Sequence, residues 1–105
     1  MDNATTLTQE QAIELVRKYK TVITPQFSNN MRVYLYGSYS KGNARPESDI
    51  DVAVVVPTLV DDWLERSINL NLATDGISTL IEPVLIEECN PSPLYDDVMR
   101  TGIAI

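Results

Sequence analysis

Three acidic side chains and one Gly-Ser pair hold the chemistry that this sequence can perform. Asp49 and Asp51 stand two apart at the start of an apolar run, Ile50 to Val56. On a strand that spacing sends both carboxylates to one side, with their Cα atoms about 7 Å apart. Two like charges held at the edge of an apolar segment repel one another and lose hydration unless a cation lies between them. Mg2+ suits such a pair, because it takes one or two carboxylates and completes its shell with phosphate oxygens and water. An isolated Asp-x-Asp is nevertheless a short and common pattern, and by itself it reads more often as a loop and strand start at the solvent edge.

The neighbouring residues shift that balance toward a phosphate site. Gly37 has no Cβ and lets a phosphate approach the backbone, and Ser38 opens a short helix whose free N–H groups favour an anion. Lys41 and Arg45 lie between the Gly-Ser turn and the Asp pair, where two cations in an acidic chain could neutralise a triphosphate. Arg45, beside Pro46, is the better placed; Lys41 reads equally well as a solvated loop charge. Glu82 is a carboxylate among Leu80, Ile81, Val84 and Leu85, either turned outward on an edge or part of a site. With Glu82 as a third acid, two metal ions roughly 4 Å apart could hold the attacking and leaving oxygens of a phosphoryl displacement.

The elements that must position these residues follow from periodicity and capping. Thr8 with Gln11 makes a capping box, and Ala12, Leu15, Val16, Tyr19 and Ile23 recur at helical spacing up to Pro25. Asn29 and Asn30 suit a turn, Met31 to Tyr36 reads as a strand, and Ser38 to Gly42 allows only a short helix before a polar loop over 43–48. The apolar run Ile50 to Val56 reads as a central strand buried on both faces, stopped by Pro57. Thr58 with Asp61 is expected to cap a second long helix, whose apolar face comprises Val60, Leu64, Ile68 and Leu72, joined by Trp63. Asp75-Gly76 is its turn. A third strand, Thr79 to Ile86, would place Leu80, Glu82, Val84 and Ile86 on one face, with Pro83 marking an irregular or edge position. Ser92 and Pro93 start a last helix with Leu94, Tyr95, Val98 and Met99 on its apolar side, Gly102 ends it, and Ile103 to Ile105 add a short edge strand. The sum is an α/β (α+β) fold, a mixed sheet of about four strands with helices packed on it, in one domain over 1–105.

Bulk composition removes several classes of function. With 8 basic against 15 acidic residues the net charge is -7, so the surface repels phosphate backbones, and direct binding of polymeric nucleic acid is not expected. There is no His and one Cys, which excludes an internal disulfide, Cys/His zinc spacings and every Ser-His or Cys-His nucleophile arrangement. No leader pattern and no membrane-length apolar run is visible, so a cytoplasmic protein without membrane contact is expected.

Gly37-Ser38, ten residues, then Asp49-Ile50-Asp51 resembles the GS-x10-DxD signature of the polymerase-beta-type nucleotidyltransferase superfamily. The string GSYSKGNARPESDIDVAVVV is similar to its minimal, single-domain members. The resemblance is specific over residues 33–57; the remainder agrees in length and element order. It implies transfer of a nucleoside monophosphate from a triphosphate such as ATP to a hydroxyl, with Mg2+. It also implies that Gly37 and Ser38 hold the outer phosphates, Asp49 and Asp51 bind both metal ions, and Glu82 fills the third acidic position, where Asp is common. Minimal members are often paired with a helical HEPN partner as antitoxin to toxin, and some add AMP to a Tyr of that partner. Exposed apolar surface on the terminal helices would support such a partner. Two alternatives stand beside this reading: a catalytically idle module that neutralises a partner by contact, and a small-molecule nucleotidyltransferase, for which an acceptor domain is missing.

Overall fold

Six of the seven residues of β2, Ile50–Val56, are β-branched or small and apolar, and apart from Asp51 near its start the strand has no polar face, so it must lie between two layers. The computed structural model describes residues 6–27, 31–57 and 62–105, and puts β2 inside a four-stranded sheet. β1, Arg32–Tyr36, and β3, Ile81–Glu87, flank it, and β4, Ile103–Ala104, closes the far side of β1, giving the order β3-β2-β1-β4. β1 runs antiparallel to both β2 and β4, whereas β2 and β3 are parallel. The sheet is mixed, as expected. Pro83 is tolerated because β3 is an edge strand, where one side of the backbone needs no ladder donor.

One face of β2 (Ile50, Val52, Val54 and Val56) packs with Ala12, Val16, Tyr19 and Ile23 of helix α1, Gln9–Ile23, and with Leu70 of helix α3, Trp63–Leu72. The opposite face (Ala53 and Val55) packs with Ile86 and with Val98 of helix α4, Pro93–Thr101. The capping box at the start of α1 forms in both directions: the Gln11 N–H donates to the Thr8 hydroxyl at 3.0 Å, and the Thr8 N–H donates to the Gln11 side chain at 2.8 Å. At the other end of α1 a single 3-10 turn, Thr24–Gln26, carries Pro25. Between β1 and β2 the four residues of α2, Ser38–Lys41, end on Gly42 in the left-handed region at φ 79°.

Three local expectations need correction. The third strand begins at Ile81 and not at Thr79, because the chain is still turning there: the Leu80 N–H donates to the Ser78 hydroxyl at 3.1 Å. Leu80 consequently packs with the Ile50 face and not with Glu82, Val84 and Ile86. Ser92 occupies the cap position of α4, but its side chain makes no capping hydrogen bond; Pro93 starts the helix. The apolar row of α3 does not face the core. Leu64, Ile68 and Leu72 are 59%, 50% and 65% exposed and Trp63 46%, while Leu70, about 200° round the helix from Ile68, is buried. Asp62 caps α3, accepting from the N–H groups of Leu64 and Glu65; Thr58, Val60, Asp61, Asn29 and Asn30 lie outside the described residues.

A buried hydroxyl fixes which face of α3 turns inward. The Tyr19 hydroxyl donates to the Leu70 carbonyl at 2.7 Å. That carbonyl is in the last turn, where Thr74, the residue four further on, donates to Asn71 instead. Burial also pushes the Tyr19 phenol well above its ordinary pKa, so it remains a donor at any physiological pH. Tyr19→Phe removes the donor and strands a buried carbonyl, which should cost about 1–3 kcal/mol in urea unfolding. An unchanged unfolding midpoint would show that this bond does not hold α3.

Candidate active site

The register of the sheet brings together residues that are far apart in the chain. Tyr36 on β1 is opposite Asp51 on β2, and Asp51 is opposite Glu82 on β3. Partners in register project to the same side, so a phenol and two carboxylates form a row across three strands on the α4 side of the sheet. Asp49, just before β2, is exposed, as is Glu82; Asp51 is partly buried.

Gly37 follows Tyr36 and turns the chain into α2 at φ 77°, ψ -150°, a conformation that L side chains rarely adopt. The space that a side chain would need is already occupied. A Cβ on Gly37 would lie 2.2 Å from Oδ2 of Asp51 and 3.1 Å from its Cγ. The Gly-Ser turn and the Asp-x-Asp strand are thus in van der Waals contact through this glycine.

Burial, then the carboxylates of Asp49 and Glu82, push the Asp51 carboxyl above its ordinary pKa, against an opposing pull from the Lys41 ammonium. Tyr36 is pushed up to about 12 by burial and by the charges of Asp51, Glu82 and Asp97. The donor set is carboxylate throughout, and it repels itself, which suits a hard divalent cation. Among the described residues no three His, Cys, Asp or Glu side chains converge into a ready-made metal cage. An ion held here would complete its shell from water and phosphate oxygens, as Mg2+ does.

Of the two cations singled out in the sequence, Lys41 is the one that acts on Asp51, and its Nζ lies 3.4 Å from Oδ2 of Asp97 on α4. Arg45 is exposed in the loop, where its backbone N–H donates to the Ser48 hydroxyl at 2.8 Å. Ser38, at the first position of α2, is partly buried. Tyr36 and Asp97 are the residues that sequence reasoning did not find. Tyr36 had a signal in its position next to Gly37. Asp97 had none, since its approach depends on how α4 lies on β1.

Two outcomes test this geometry. Gly42, also at positive φ but at ψ 18° and with open space around it, sets a reference for left-handed strain without a collision, and Gly42→Ala should cost about 1–2 kcal/mol. Gly37→Ala adds a collision with Asp51 and should cost measurably more in the same urea titration; equal costs would refute the contact. The second outcome concerns charge. A carboxyl whose pKa is raised by folding is neutral in both states at acid pH, and stability is lost as pH rises through the folded-state value. In EDTA, Asp51→Asn should therefore melt above the parent at about pH 7, with the advantage vanishing below roughly pH 4, the ordinary carboxylate range. A parent that melts higher than the variant at neutral pH would contradict it.

Comparison with known proteins places the fold in a family. The family described as polymerase beta, nucleotidyltransferase, matches residues 8–105. A protein of Methanocaldococcus jannaschii, described as a "putative protein adenylyltransferase", is 28% identical over 101 residues, 90% of this chain and 99% of that one. The crystal structure of a nucleotidyltransferase, described as "putative", from Sulfolobus solfataricus shares the fold with a TM-score of 0.67, covering 99% of this chain and 87% of that one at 16% identity. A toxin-antitoxin structure with AMP-PNP is similar at 25% identity and a TM-score of 0.50, covering 93% of this chain and 72% of that one. A mutant of the toxin-antitoxin MntA-HpeT has the same identity and TM-score, covering 95% of this chain and 72% of its own. With residues 8–105 matched, the chain belongs to the polymerase beta nucleotidyltransferase family.

Proposed function

We propose that this nucleotidyltransferase moves AMP from ATP onto a hydroxyl of a partner protein in a Mg2+-dependent reaction, as the antitoxin of a HEPN/MNT pair in the cytoplasm. The observation that carries the reading is the contact of Gly37 with Asp51, which stands beside Glu82: a turn suited to phosphate touches a carboxylate suited to metal. The similarity to a protein adenylyltransferase and to toxin-antitoxin structures supports both the acceptor class and the partner.

In this reading Asp49 and Asp51 hold both metal ions and Glu82 contributes to one of them. When bound, the ions supply positive charge to the phosphate oxygens. Gly37 and Ser38 hold the outer phosphates through the backbone, and Lys41 and Arg45 offset the remaining negative charge. The acceptor oxygen bonds to the α-phosphorus, the bond from that phosphorus to the bridging oxygen breaks, and pyrophosphate leaves. Glu82, beside Asp51, is the candidate to take the acceptor proton.

Incubating the protein with its partner, Mg2+ and ATP should add the mass of AMP to the partner, and an Asp49→Ala, Asp51→Ala variant should add none. Absence of an adduct with all four nucleotides would sink the enzymatic reading. One observation favours neutralisation by contact alone: the exposed apolar row on α3 lies apart from the acids. If contact suffices, the double Ala variant will still suppress toxicity in cells that express the partner; if transfer is required, it will not.

A further inference from the structure

The large exposed apolar side chains are not spread evenly among the described residues. Val22 on α1 and Met99 on α4 stand singly, whereas α3 presents Trp63, Leu64, Ile68 and Leu72 together. Leu64, Ile68 and Leu72 follow one another at four-residue intervals and form a straight row. The row has an acidic border, with Asp62 and Glu65 at its start and Asp75 beyond its end, all exposed. Arg66, the one cation in the helix sequence, is engaged with the ring of Phe27 at 5.1 Å. At its Trp63 end the row continues into a pocket of about 310 Å³, lined by Trp63, Leu85, Ile86, Glu87, Asn90 and Ser92.

These features select among occupants. A second copy of the chain would bring the same acidic border and the same net charge of -7, and an isologous contact would set like charges against one another. An anionic membrane surface meets the same repulsion. Strand addition at the free edge of β3 is hindered by Pro83, which offers no N–H. A partner helix with an apolar stripe bordered by Lys or Arg meets no such obstacle, and the pocket matches it. A long basic side chain can lay its methylenes on the Trp63 indole with its charge toward the exposed carboxylates of Asp62 and Glu65.

We infer that the α3 row and the adjoining Trp63–Glu87 pocket form the docking surface for a basic amphipathic helix of the acceptor protein. The inference rests on the partner-modifying reading and adds where the partner is held. Glu87 lies five residues beyond Glu82 on β3, roughly 16 Å along the strand. A helix docked there leaves the acids open to another segment of the same partner.

Trp63 is the chain's only Trp, so its fluorescence reports on this surface alone. Titration with a synthetic amphipathic peptide of Leu and Lys at helical spacing should shift Trp63 emission to shorter wavelength and saturate. The matched Leu/Glu peptide should leave it unchanged. A Leu64→Asp, Ile68→Asp variant should bind the Leu/Lys peptide about tenfold more weakly or worse, although it is the more acidic protein, with an unaltered circular-dichroism melt as the folding control. The Asp49→Ala, Asp51→Ala variant should bind like the parent, so loss of transfer and loss of docking are read separately. No shift with the Leu/Lys peptide, undiminished binding by the Leu64→Asp, Ile68→Asp variant, or an equal shift with the Leu/Glu peptide would overturn the inference. So would an equal shift with phosphatidylglycerol vesicles, or a sedimenting dimer in buffer alone with Trp63 already shielded.

Discussion

The Asp51 carboxylate occupies the space where residue 37 would carry a side chain. This single contact joins the two halves of the signature: the turn after β1 can follow its left-handed path only as glycine, and β2 can bring its carboxylate up to that turn only if nothing projects from it. Antiparallel pairing of β1 with β2 sets the contact by aligning Tyr36 with Asp51. The layers on both sides of the sheet hold β2 in that register, because a one-residue slip would exchange its two buried faces and turn Asp51 into the core.

Charge is organised around the same point. Asp49 and Glu82 raise the electrostatic cost of the charge on the partly buried Asp51, and the Tyr36 phenol beside it is held neutral. Lys41 offsets part of this field but is shared with Asp97, so it links the segment after the Gly-Ser turn to α4. Such a site is poorly satisfied by protein groups alone. Self-repulsion of this kind is what a bound cation relieves, which is the physical basis of the proposed metal site.

The third helix shows how a sound periodicity can mislead. Leu64, Ile68 and Leu72 repeat as a core-facing stripe does, and Leu70 on the other side looks incidental. The fold chooses Leu70, because Tyr19 reaches an open carbonyl there and Leu70 packs into the cluster over β2. The longer row is left to solvent. An apolar helix face of this extent outside the core is the feature on which the proposed docking rests.

Much of the architecture was legible in local chemistry. The capping box at Thr8 and Gln11, the two-sided burial of Ile50 to Val56, the short helix closed by Gly42 and the irregular or edge position marked by Pro83 all follow from interactions within a few residues or from one strand's own composition. The same holds for the family, because Gly37-Ser38 and Asp49-x-Asp51 are constrained by backbone geometry and charge at close range. The tertiary structure alone decided the rest. It set Glu82 opposite Asp51, since parallel register depends on where the turn at Ser78 releases the chain. It brought Asp97 to Lys41, and it chose the buried side of α3. Each of these is a meeting of residues distant in the chain, and such meetings are fixed by packing between layers, of which periodicity along one segment carries no record.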